Sequence, residues 1–154
     1  MPNEHIYKIG LQWTGVSTIN SRKKLSYERI YELTFENKPN LMGSADATFH
    51  GDPKLYNPEE MLLSALSSCY MMSFFYLCGL KNVKIKSYKD EPLGIVKVNS
   101  NGSGQFEEVT LQPVIVTEHK DKSQLLELFS KAKDYCFIAR SCNFKIHHNP
   151  RIDL

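Results

Sequence analysis

Residues 61–80, MLLSALSSCYMMSFFYLCGL, hold no charged side chain between the pair Glu59 and Glu60 and the next cation, Lys81. Twenty such residues match the length of a bilayer crossing. Ser64, Ser67, Ser68 and Ser73 interrupt the run, its upstream flank is acidic, and strand-like sequence stands on both sides. The chain therefore reads as one that does not span a membrane. A helix apolar on every side is otherwise a central helix covered by protein all round. One chain of 154 residues can hardly provide that cover alone, which points to a dimer. In the middle of the run sits a thiol, Cys69.

The length suits one domain, 1–154, able to bury about two-thirds of its unfolded surface. A net charge of +2 gives no reason to expect nucleic acid or an acidic membrane as partner. The start, MPNEHIYKIG, lacks the basic segment and apolar run of a signal peptide. The four cysteines show neither CxxC spacing nor a dense secreted framework. A cytoplasmic chain with reduced thiols is the expectation.

Residues 7–13 alternate, with Tyr7, Ile9, Leu11 and Trp13 on one face of a half-buried strand. Residues 14–21 read as a turn. Residues 27–35 read as a second strand that places Tyr27, Arg29, Tyr31, Leu33 and Phe35 on one face. Residues 37–56 read as loop with one short strand. Asn57 then caps the long helix, Pro58 takes its first position, and Glu59 and Glu60 favour its positive end. Strands follow in VKIKSYK, GIVKV and the run QFEEVTLQPVIVTE. Asp121 caps a second helix with Gln124 in capping-box position, and its apolar stripe is Leu125, Leu128, Phe129, Ala132 and Cys136. Residues 143–147 read as a last strand. Strands, long helix, strands, helix and strand make an α+β fold, with antiparallel strands around a long central helix.

The four thiols are not equivalent. Cys69 and Cys78 lie about 180° apart and roughly 13–14 Å along one helix, so they cannot bond within a chain. Cys78 and Cys142 read as packing residues. Cys69 and Cys136 both face inward on helices that can pack together, and two readings stand side by side: buried structural thiols, or a pair cycling between dithiol and disulfide. A reactive thiol needs help to ionise, because an unperturbed one is under a tenth thiolate at neutral pH. Arg29, on the apolar face of its strand, is the cation that most needs an anionic partner. Arg140 and Arg22 are weaker candidates. Glu59 precedes Cys69 by about 15 Å of helix, so for both to serve one site the carboxylate must come from a partner subunit. A metal site at Cys142, His147 and His148 is disfavoured, because adjacent histidines on a strand point to opposite faces.

The segment GDPKLYNPEEMLLSALSSCYM, followed later by AKDYCFIARSCNF, resembles the OsmC/Ohr family of thiol-dependent peroxidases, most closely its OsmC-like branch. The resemblance implies an intertwined homodimer with sites at the subunit interface. It implies reduction of a small organic hydroperoxide by a peroxidatic cysteine, matching Cys69, and a resolving cysteine, matching Cys136. Glu59 matches the first glutamate of the family's NPEE. No metal and no bound organic cofactor are implied; electrons come from an external dithiol, of dihydrolipoyl type in relatives. The family's active-site arginine lies near the N-terminus or in the loop before NPEE. Here that loop, ADATFHGDP, has none, and Arg29 is the substitute. The alternative within the same fold is a non-catalytic dimer that binds an apolar small molecule near Cys69.

Overall fold

The computed structural model describes residues 3–153, which fall into two compact units, Met1–Met61 and Leu62–Leu154. In the first, β1 (Gly10–Trp13), β4 (Tyr31–Phe35) and β5 (Lys38–Gly43) form an antiparallel sheet in the order β1-β4-β5. Strands β2 (Ser17–Ile19) and β3 (Leu25–Tyr27) form a separate hairpin. Its turn is built by Asn20, whose side-chain carbonyl accepts from the N–H groups of Arg22 and Lys24, each at 3.0 Å. The β4–β5 connection passes through Asn37 at φ 57°, a left-handed position that asparagine tolerates.

Two expectations are corrected in this unit. Residues 14–21 are not simply a turn, since they contain β2. The continuous strand over 27–35 is broken between β3 and β4, because long-range contacts hold its middle. Trp13 Nε1 donates to the Glu28 carbonyl at 2.7 Å, Val16 N–H donates to the Glu28 carboxylate at 3.1 Å, and Thr14 N–H donates to the Ile30 carbonyl at 3.1 Å. Arg29 therefore has no inward strand face. It is exposed, and its Nη1 donates to the Tyr27 carbonyl at 2.9 Å.

The loop after β5 is ordered by its own polar groups. Asp46 accepts from Thr48 N–H at the head of a short 3₁₀ turn (Ala47–Phe49), and the buried Ser44 hydroxyl accepts from Asp52 N–H at 2.9 Å. Gly51 is pressed so closely on the Ala45 carbonyl that a Cβ there would overlap it.

Helix α1 (Pro58–Leu80) begins at a reciprocal cap: Asn57 Oδ1 accepts from Glu60 N–H at 2.8 Å, and the Glu60 carboxylate accepts from Asn57 N–H at 3.3 Å. By length and composition α1 could cross a membrane, yet Leu66, Tyr70, Phe74 and Leu77 form a buried stripe. Its other faces are less covered, with Met72, Tyr76 and Leu80 exposed.

In the second unit β6 (Ile85–Lys89), β7 (Leu93–Val98), β8 (Gly104–Leu111) and β9 (Val114–Thr117) precede α2 (Lys122–Tyr135), α3 (Phe137–Ser141), β10 (Lys145–His148) and β11 (Arg151–Asp153). The antiparallel expectation holds for β6 with β9 and β7 with β8, but β10 pairs parallel to β8 and β11 parallel to β9. Pro113 separates β8 from β9 and Pro150 separates β10 from β11, and the pairing carries on past them. Asn149 N–H donates to the Leu111 carbonyl at 2.9 Å and Arg151 N–H to the Pro113 carbonyl at 2.8 Å. Asp121 caps α2 through Gln124 N–H at 3.0 Å, as its sequence predicts.

The core of this unit joins α1, the strands and α2. Phe74 and Phe129 stack with ring centroids 3.8 Å apart and planes 5° from parallel. The Tyr70 hydroxyl donates to the Phe129 carbonyl at 2.8 Å. Leu66, Val109, Leu111, Ile115 and Leu125 close around them, all fully buried. These contacts fix α2, and with it Cys136, against α1.

Candidate thiol site

Cys69 lies mid-way along α1 and is half-buried; Cys136 lies at the junction of α2 and α3 and is fully buried. Cys69 packs against the buried cluster that contains Cys136, near enough for its thiol to act on the Cys136 thiol electrostatically. Cys136 closes one helix and opens the next. Its N–H donates to the Ala132 carbonyl at 3.1 Å, and its sulfur accepts from Ala139 N–H at 3.4 Å as the N-cap of α3. Burial pushes the Cys136 thiol up; the Ala139 N–H works against that, and the neighbouring Cys69 adds to it. Cys136 is therefore a protonated thiol at neutral pH.

Cys69 opens onto a cavity of about 520 Å³ that it shares with Met72, Ser73 and Tyr76 of α1, Tyr135 at the end of α2 and Phe137 of α3. The Tyr76 and Tyr135 rings are 6.0 Å apart. The lining is nearly all carbon, so the space suits an apolar body with a small polar end directed at the sulfur. A molecule in this cavity meets Cys69, whereas the fully buried Cys136 does not line it.

The remaining thiols are placed differently. Cys78 is buried in the core, where desolvation pushes it up to about 11, and Cys142 is also raised by burial. Both stay protonated and poorly nucleophilic near neutral pH. Cys142, His147 and His148 do not converge. His147 pairs with Glu108 at 3.1 Å, whereas the His148 ring lies against Tyr70 at 4.5 Å, and no group of three metal-ligating side chains occurs among the described residues.

Burial, and then Glu59 in the first turn of α1, raises the pKa of the Tyr31 phenol. Arg29 and Glu59 form no ion pair with each other. Glu59 stands ten residues before Cys69 on α1, about 15 Å along the helix axis.

A family model described as OsmC-like protein matches residues 51–150. The chain belongs to the OsmC-like family. YmaD of Bacillus subtilis (strain 168), an uncharacterized protein, is 28% identical over 89 residues, covering 55% of this chain and 59% of that one. The match thus spans about three-fifths of the curated relative's length. Among solved structures, an OsmC-like protein of unknown function from Vibrio cholerae superposes with a TM-score of 0.80 at 24% identity, over 96% of this chain and 99% of that one. An organic hydroperoxide resistance protein from Elizabethkingia anophelis superposes with a TM-score of 0.70 at 15% identity, over 97% and 99%. At these identities the likeness is one of fold.

Sequence reasoning did not find α3, nor the use of Cys136 as its cap. It also passed over Tyr135 and Phe137 as cavity walls, although both flank the cysteine it had singled out. His148, weighed in the sequence only as a metal ligand, has a different character. Burial above all, then Lys133 and His147, lowers its pKa from about 6.5 to about 4, and neither ring nitrogen has a hydrogen-bond partner. The unfolded chain binds a proton here between pH 6.5 and 4 that the folded chain refuses. Stability is thus fully present above pH 6.5 and falls as pH drops toward 4. After discounting for the partly exposed ring, the loss is about 2 kcal/mol. Denaturant unfolding at pH 7 and pH 4.5 should show a smaller difference for His148→Phe than for wild type. Equal differences would remove His148 from the acid response.

Proposed function

We propose that this OsmC-like protein reduces organic hydroperoxides through Cys69 and Cys136, drawing its electrons from an external dithiol. The observation that carries the reading is the pairing of a half-exposed thiol on an apolar cavity with a second, fully buried thiol beside it. Its support from relatives is that fold neighbours include proteins named for organic hydroperoxide resistance.

In the first step a Cys69 thiolate attacks the O–O bond of ROOH, ROH departs, and Cys69 carries a sulfenic acid. In the second, Cys136 condenses with it to give a disulfide and water. Exchange with a dithiol restores both thiols. Buried beside Cys69, Cys136 captures the sulfenic acid before further oxidation. The carbon-lined cavity favours an alkyl or aryl hydroperoxide over hydrogen peroxide. Although Arg29 is exposed in the single chain, it is proposed as the cation that stabilises the thiolate at the subunit interface that the resemblance implies, with Glu59 from a partner subunit orienting it.

The working unit is proposed to be a cytoplasmic homodimer. In the first unit Ile6, Tyr7, Leu11 and Ile19 are more exposed than buried, and α1 exposes Met72, Tyr76 and Leu80. Apolar surface on this scale is a cost in a lone chain.

The test is turnover. With cumene hydroperoxide and excess dihydrolipoate, peroxide loss should continue well past one equivalent of protein. Saturable binding of the hydroperoxide without its consumption would instead favour a non-catalytic binding protein, which the apolar cavity also suits.

A further inference from the structure

The Tyr88 hydroxyl is buried and has no hydrogen-bond partner among the described residues. A buried hydroxyl left in that state carries a desolvation cost that nothing repays. Tyr88 lies on β6 opposite Ile115, and its ring packs on Phe74 at 6.2 Å and Phe75 at 5.6 Å, on the stretch of α1 that follows Cys69. Two residues on, Asp90 is held from both sides. Ser67 donates its hydroxyl to one carboxylate oxygen at 2.6 Å, and Gln112 N–H donates to the other at 2.7 Å. Tyr88 and Cys69 both pack against the buried cluster that holds Cys136, and burial above all, then Asp90, Tyr70 and Cys136, keeps the Tyr88 phenol protonated. The buried phenol of Tyr70 is committed, because it donates to the Phe129 carbonyl, and Tyr76 and Tyr135 are exposed. Tyr88 keeps both its donor and its acceptor unused.

The resolving step has a proton to move. The S–O bond of Cys69 breaks as the S–S bond forms; the sulfenic sulfur is reduced and the Cys136 sulfur oxidised, so no outside electrons enter. Cys136 loses its proton, and the departing hydroxide takes one and leaves as water. Cys136 is fully buried, so the transfer calls for a group of the protein that can accept and donate together. We infer that Tyr88 carries this proton, taking it from the Cys136 sulfur while giving its own to the departing oxygen, and ends the step unchanged. The inference rests on the peroxidase reading above.

Reduced wild-type and Tyr88→Phe proteins are each mixed with one equivalent of cumene hydroperoxide. Peroxide loss reports the first step; the sulfenic acid at Cys69, trapped with dimedone and read by mass, reports the second. The variant keeps the ring and loses only an unpartnered hydroxyl, so its melting temperature should be no lower than wild type. Peroxide consumption should agree within about twofold, while disulfide formation slows by at least about tenfold and the sulfenic acid accumulates. Equal rates of disulfide formation would overturn the role of Tyr88 alone, as would a common slowing of both steps with a lowered melting temperature. A wild-type protein that consumes no hydroperoxide overturns the peroxidase reading and this one with it.

Discussion

Cys69→Ser should abolish hydroperoxide consumption, lowering it by at least about 10³-fold, with the fold intact. A serine hydroxyl fits the half-buried position on α1, but it does not ionise near neutral pH and is a poor nucleophile toward peroxide oxygen. Cys136→Ser should behave differently. It should consume one equivalent of hydroperoxide at close to the wild-type rate and then stop, with Cys69 held as a sulfenic acid, because the resolving sulfur is gone. Serine in place of Cys78 or Cys142 should leave turnover near wild type, since neither lines the Cys69 cavity. Peroxide loss with and without excess dithiol, read together with intact mass, separates these outcomes. Turnover retained by Cys69→Ser would return that thiol to a packing role.

The second large effect is structural. Phe74→Ala should destabilise the protein by about 3–5 kcal/mol, because it removes a fully buried ring stacked face to face on Phe129 and leaves a cavity between α1 and α2. Against a total stability of about 5–15 kcal/mol, that is a fifth or more of what holds a typical domain folded. The same contact holds Cys136 against Cys69, so the folded fraction of the variant should also form its disulfide more slowly after oxidation. Urea unfolding checks the first effect, and single-turnover kinetics under native conditions checks the second. A loss below about 1 kcal/mol would mean that other contacts fix α2.

Much of this architecture is legible in the residues because the signals are local. Asn57, Pro58 and Glu60 announce the start of α1, and Asp121 with Gln124 announces α2; the structure realises both caps as hydrogen bonds. The stripe Leu125, Leu128, Phe129 and Ala132 repeats with the helical period and is buried. That Cys136 faces inward follows from the same stripe, whereas its nearness to Cys69 was suggested only by the family resemblance and the possibility of helix packing.

What was not legible depends on partners far away in sequence. The phase that seemed to turn Arg29 inward was broken by Trp13, Thr14 and Val16 holding residues 28 and 30, and alternation within one strand cannot reveal such ties. The parallel pairing of β10 with β8 joins segments on either side of α2 and α3. Helix α3 is a single short turn whose cap is a cysteine rather than a serine or aspartate, so neither period nor cap chemistry marks it. The alternating residues near the N-terminus read as half-buried, yet Leu11 stands 66% exposed in the single chain. Alternation identifies a face that needs cover without naming what covers it.

The most direct measurement of the central claim is the mass of the fully reduced protein after one equivalent of an organic hydroperoxide, followed by peptide mapping without reductant. The account predicts the loss of two hydrogens, one cross-linked peptide joining Cys69 to Cys136, and free thiols at Cys78 and Cys142. An unchanged mass, or a bond that joins Cys78 or Cys142 instead, would contradict it.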